Sequence, residues 1–141
     1  MVSMTEPRTR PRSIKNMDQK PKCEVEIDAT RNLITVRYRG HIAAADMKAY
    51  SERVRGMLPL LRPGFTFLTD LSALEAMELD CAIELTRVMD ACRTRGIGTV
   101  VRIIPDSSKD IGFNILSIIH LRRGVRVVTC QTAEQAERAM K

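Results

Sequence analysis

At 141 residues and a net charge of +6, the chain is most simply one soluble domain long enough to bury a sizeable core. Aromatic residues make up 4% of it and Trp is absent, so the core must be built from Ile, Leu, Val, Ala and Met. The charge excludes more than it supports. The first 22 residues hold six basic and two acidic side chains, while the remaining 119 hold 17 and 15, so the folded part offers no excess of charge for nucleic acid.

Residues 1–22 carry Pro7, Pro11 and Pro21 among basic and polar residues, and too little apolar surface to offset ordering entropy. They are expected to form a disordered basic tail ahead of a domain at 23–141. Met4 and Met17 leave the true start open. The tail lacks the apolar centre of a signal peptide, and no apolar run approaches the ~20 residues of a membrane helix, so a cytoplasmic protein is expected. Cys23, Cys81, Cys92 and Cys130 show no CxxC spacing and are expected to be reduced and mostly buried.

Order should begin at Cys23. Val25 and Ile27 alternate with Glu24, Glu26 and Asp28; Ile34, Val36 and Tyr38 alternate with Thr35, Arg37 and Arg39. Pairing Asp28 with Leu33 places Ile27 against Ile34, Val25 against Val36 and Glu24 against Arg37, an antiparallel hairpin with one buried and one wet face. Gly40 breaks the second strand. A helix is predicted from about Ala43 to Met57, with Met47, Tyr50, Val54 and Leu58 inward and Lys48, Glu52 and Arg55 outward.

The stretch from Gly64 to Gly96 organises the rest. Residues 65–69 read as a buried strand with Asp70 at its carboxyl end, where open α/β sheets place working residues. A compact loop follows. Then comes a helix over about 79–95, with Ala82, Leu85, Met89 and Cys92 on one stripe, Arg87, Asp90 and Thr94 opposite, and Gly96 as C-cap. Further strands are predicted at 99–104 and 125–130, with a helix at Ile111–Arg123 between them and a last helix opened by a Thr132–Gln135 capping box. Strands alternating with helices imply parallel pairing, so the fold class is α/β with a mixed sheet.

This order resembles the STAS domain, shared by sulfate transporters and bacterial anti-sigma-factor antagonists. The resemblance spans about 23–141. It rests on Asp70-Leu71-Ser72 before a short loop and helix, on the Gly40-His41-Ile42 turn, and on Thr132-Ala133-Glu134-Gln135-Ala136 opening the last helix. In phosphorylatable members an apolar residue and Asp-Ser-Ser-Gly open the second helix, and a kinase modifies the second serine. Here Met77 takes the apolar position, Glu78 the aspartate, Leu79 the first serine, Asp80 the modified serine and Cys81 the glycine. The resemblance therefore implies a bacterial signalling module without that serine switch.

Read as chemistry, Glu75, Glu78 and Asp80 either compensate the dipole of the following helix or form an acidic docking surface. Ser72 is a turn residue or an alternative phosphoacceptor. His41 and His120 are tied to no nucleophile and no metal-ligand spacing, so neither catalytic residues, metal nor cofactor is expected. The leading expectation is a non-enzymatic protein-binding module. Its contact residues are Asp70, Ser72, Glu75, Glu78 and Asp80, and the resemblance implies an anti-sigma factor or regulatory kinase as partner. The alternative is a small-molecule or lipid-binding relative with an apolar cleft beside 111–123. The oligomeric state, a homodimer included, stays open.

Overall fold

The computed structural model of the chain describes residues 22–105 and 125–141. The expected tail, apart from Lys22, and the helix expected at 111–123 lie outside the described residues. Strands β1 (Cys23–Asp28) and β2 (Leu33–Ile42) lead into helix α1 (Ala44–Met57) and a short 3-10 turn, Leu58–Leu60. Strand β3 (Thr66–Met77), helix α2 (Cys81–Arg95) and strand β4 (Thr99–Ile103) follow, then strand β5 (Arg126–Cys130) and helix α3 (Ala133–Ala139). The sheet order is β1-β2-β3-β4-β5, with β1 antiparallel to β2 and every later pair parallel.

The hairpin has the expected register, Asp28 opposite Leu33 through Glu24 opposite Arg37. Its ion pairs run one step off that register. Arg37 bonds Glu26 at 2.9 Å and Arg39 bonds Glu24 at 2.6 Å, because long side chains reach the diagonal neighbour across a strand pair. The expected wet face is only partly wet. β2 is an inner strand, so Leu33 and Thr35 are buried on that side as well.

One face of the sheet packs against α1 and α2 through residues such as Ile34, Val36, Met47, Val54, Val88 and Met89. Tyr38 and Tyr50 meet there edge to face, with ring centroids 5.4 Å apart. The other face holds a smaller cluster of Leu33, Leu68, Val101, Ile103, Cys130 and Ala136, the last from α3. The predicted helical phases hold. Met47, Tyr50 and Val54 are buried on α1, and Leu85, Val88, Met89 and Cys92 on α2. Thr132 Oγ1 caps α3 by accepting from the Gln135 amide. Arg87 does more than face solvent: it holds Glu84 at 3.0 Å.

The largest departure from expectation concerns β2 and β3. Asp70 is not a strand end, residues 71–77 are not a loop, and Gly40-His41-Ile42 is not a turn. Both strands run on, paired to Ile42 opposite Met77. Two bulges explain why alternation failed to reveal this. Arg37 faces Asp70 but Arg39 faces Ala73, and Gly40 faces Leu74 but His41 faces Ala76, so β3 carries an extra residue at each place. Each bulge re-phases the strand. Leu71, Leu74 and Met77 therefore pack toward the α1–α2 core at intervals of three, not two. Gly40, at φ +63°, supplies the backbone that the second irregularity requires of β2.

All four cysteines are free and buried. Burial pushes the Cys23 and Cys81 thiols up to about 11 and Cys92 up to about 12, from an ordinary 9.0, and raises the Tyr38 and Tyr50 phenols as well. A folded-state pKa above the unfolded value means stability that is intact below about pH 9 and is lost as pH rises toward 11–12. The denaturant midpoint should accordingly be insensitive to these groups below that range and fall steeply above it. At about pH 8 a thiol reagent should modify the folded chain slowly and the unfolded chain at once. Prompt reaction of the folded chain would show that these thiols are not sealed in the core.

Close backbone approach also constrains the start of β3. A Cβ on Gly98 would meet the Gly64 carbonyl oxygen at 2.9 Å, whereas Gly56, in α1, has open space. Gly98→Ala should cost roughly 1–3 kcal/mol by overpacking. Gly56→Ala should instead stabilise by up to about 1 kcal/mol through helix propensity. Denaturant melts of the two variants check the pair. Equal effects would mean that the β3–β4 approach is looser than described.

Candidate functional site

The sequence expects Asp70, Ser72, Glu75, Glu78 and Asp80 to form one surface. The structure places two of them at a strand bulge and three further along the chain. Asp70 and Ser72 sit at the first β3 bulge. The Asp70 carboxylate accepts from the Ser72 amide at 2.9 Å and from its hydroxyl at 2.6 Å. The other carboxylate oxygen lies 3.9 Å from the Arg37 guanidinium, which also binds Glu26. The hydrogen-bonded Glu26 carboxylate, and Asp70 behind it, hold the Arg37 pKa above its ordinary value. This closed group staples the bulge.

Glu75, still within β3, and Glu78 and Asp80, between β3 and α2, lie further on, all exposed. Glu78 was expected to serve α2. Its carboxylate instead accepts from the Ala44 amide of α1 at 3.2 Å. The reason is local. Ala43, the residue before α1, has no side-chain acceptor, so the first amides of α1 need outside partners. Asp46 takes the Ala43 amide at 2.9 Å and Glu78 takes the next. The Glu78 amide donates to the Ile42 carbonyl at 3.0 Å, and His41 stands 3.8 Å from the Glu78 carboxylate. Glu78 thus ties the start of α2 to the start of α1.

Asp80 makes no side-chain cap to α2. The first amides of α2 bond to the carbonyls of Glu78, Leu79 and Asp80 in the preceding turn. The Asp80 carboxylate is therefore not consumed by capping. Next to these acids stand two exposed apolar residues that the sequence analysis did not count as contact residues. Leu79, in the turn before α2, is 75% exposed, and Ile83, in its first turn, is 61% exposed. Their signal was available: both are apolar and both fall off the buried stripe of Cys81, Leu85, Val88 and Cys92.

Among the described residues, no group of three or more His, Cys, Asp or Glu is arranged to hold a metal. No described helix is long and apolar enough to cross a membrane. On the opposite sheet face, open grooves of about 450 and 480 Å³ flank the Arg31–Glu137 ion pair. Their walls mix charged residues, among them Glu26, Asp28 and Arg37, with apolar ones such as Leu33, Leu68 and Met140. The apolar cleft expected beside 111–123 lies outside the described residues.

No family model matches the sequence, and none of the curated proteins matches it. Solved structures do match. The anti-sigma factor antagonist SpoIIAA in its unphosphorylated form superposes with a TM-score of 0.60 at 12% identity, covering 83% of this chain and 96% of that one. A protein with a SpoIIAA-like fold from Shewanella loihica gives 0.59 at 11% identity, over 84% of this chain and 92% of that one. An anti-sigma factor antagonist from Mycobacterium paratuberculosis gives 0.53 at 17% identity, over the same shares of 84% and 92%. The chain therefore has the α/β fold of SpoIIAA, the STAS-like architecture that its element order resembles.

Proposed function

We propose that this STAS-like module works by binding a protein partner through the start of α2, without a phosphorylation switch there. The observation that carries the reading is the exposed pair Leu79 and Ile83 at the start of α2, with exposed Glu78 and Asp80 flanking Leu79 in the chain. An apolar centre with a charged rim is the usual anatomy of a specific protein contact. Exposed apolar side chains are unremarkable singly; here one stands in the turn before α2 and another in its first turn. The structural neighbours named as anti-sigma factor antagonists support an anti-sigma factor or related regulatory kinase as the partner class.

No hydroxyl stands at 77–81, the positions around the start of α2. The nearest one upstream, Ser72, is engaged with the Asp70 carboxylate. A phosphate there would add about −1.5 to −2 charge beside an existing carboxylate, which is electrostatically unfavourable. Asp80 then presents a fixed single charge, and the affinity of the surface is constant, not toggled. Enzymatic roles find no support in the described site. The thiols of Cys23, Cys81 and Cys92 are held neutral by burial, the opposite of what a nucleophile requires.

The experiment pairs binding with phosphate incorporation, using a cognate anti-sigma-type kinase. Leu79→Ala with Ile83→Ala should weaken binding at least about tenfold and leave folding intact, because the patch is solvent-facing. Asp80→Ser should act mainly on association rate and its salt dependence. No phosphate should enter the wild-type chain. Unchanged affinity in the double variant, or stoichiometric phosphate on Ser72 or Thr69, would contradict the reading.

A further inference from the structure

His41 is the only histidine among the described residues, and its imidazole stands at the residue that joins the two helix starts. The second β3 bulge puts it there. His41 lies opposite Ala76, so Glu78, two residues on, falls on the same face. The two oxygens of the Glu78 carboxylate have separate neighbours. Oε1 accepts from the Ala44 amide at 3.2 Å, and Oε2 lies 3.8 Å from His41 Nε2. The imidazole therefore approaches one oxygen without displacing the amide from the other.

What this contact contributes depends on charge. At 3.8 Å a neutral imidazole is too far for a hydrogen bond and gains little. An imidazolium in the same place attracts the carboxylate and so keeps Oε1 on the Ala44 amide. Histidine is the side chain that ordinarily changes charge between about pH 5 and 8. The groups around it do not. Asp46 of α1 binds the Ala43 amide and lies 3.6 Å from Lys22, and Arg39, two residues before His41, bonds Glu24 of β1. Glu75 of β3 and Asp80 of the following turn are exposed carboxylates. The Cys81 thiol, pushed up to about 11, stays neutral throughout. We propose that His41 makes the Glu78 clamp pH-sensitive: charged, it holds the carboxylate at the start of α1; neutral, it lets the clamp slacken. Leu79 follows Glu78 in the chain, so the device sets how firmly the approach to α2 is held. It rests on the clamp and not on the docking reading above.

Water-exchange NMR of the full chain at about pH 5.5 and about pH 8 tests this, with each amide rate corrected for its intrinsic rate at that pH. Phe67 and Leu68, inside β3, serve as the reference for overall stability. Relative to them, protection of the Ala44 amide in the wild type should be about two- to fourfold higher at the lower pH, the size expected of an exposed ion pair. His41→Gln, neutral at both pH values, should show the lower protection at both. His41→Lys, charged at both, should show the higher protection at both. Glu78→Gln should remove the response with His41 still present. The inference is overturned if wild-type Ala44 protection is the same at the two pH values. It is also overturned if His41→Gln keeps the response, which would place the titrating group elsewhere. Should His41→Gln lower protection at Phe67 and Leu68 as well, the wild type and His41→Lys still decide. A chain that shows the response yet binds no partner loses the docking reading alone.

Discussion

The double attachment of Glu78 is the constraint on which the candidate site depends. Its amide extends the β2–β3 pairing to the Ile42 carbonyl, and its carboxylate satisfies the Ala44 amide at the start of α1. One residue thus joins the end of the longest parallel strand pair, the start of α1 and the start of α2. A carboxylate at a helix N-terminus contributes about 0.3–1 kcal/mol, and the hydrogen bond adds a similar amount. Neither figure is large. Their importance is positional, since the two bonds decide where Leu79 and Ile83 project.

The bulges of β3 serve the same end. A regular strand would alternate, and past Asp70 it would have turned Leu74 or Met77 toward water. Each added residue returns an apolar side chain to the core and bends the strand. At the first bulge, Asp70 closes on Ser72 and faces Arg37, so the polar cluster that the sequence marks as a working site also holds the bulge together. Glu75 and Asp80 are exposed, and the Glu78 carboxylate holds the Ala44 amide.

Much of the fold was legible because its signals are local and periodic. The hairpin register followed from matching Val25, Ile27, Ile34 and Val36, and the buried face of α2 from the spacing of Leu85, Met89 and Cys92. The extent of β3 was not legible, because bulges replace a period of two by steps of three and so erase the strand signature. The role of Glu78 was hidden for a different reason. Its partner, Ala44, lies 34 residues away in sequence, and nothing in local pattern links an acid to a helix start so distant. Of the expected contact residues, Ser72, Glu75, Glu78 and Asp80 are exposed, and Asp70 bonds Ser72 at the bulge. Leu79 and Ile83 were overlooked because attention to charge and hydroxyls passed over apolar residues standing out of phase.

The measurement that bears most directly on this account is residue-resolved hydrogen exchange at the Glu78 amide. If β2 and β3 remain paired to their ends and Glu78 clamps the two helix starts, this amide exchanges slowly. Glu78→Ala should then speed exchange at Ala44, which loses its carboxylate acceptor, and to a lesser degree at position 78, whose bond to the Ile42 carbonyl loses the side-chain tie beside it. Exchange of the wild-type Glu78 amide at the rate of an open loop, with Phe67 and Leu68 still protected, would contradict the account. It would return the segment from Leu71 to Asp80 to the loop that its sequence suggests.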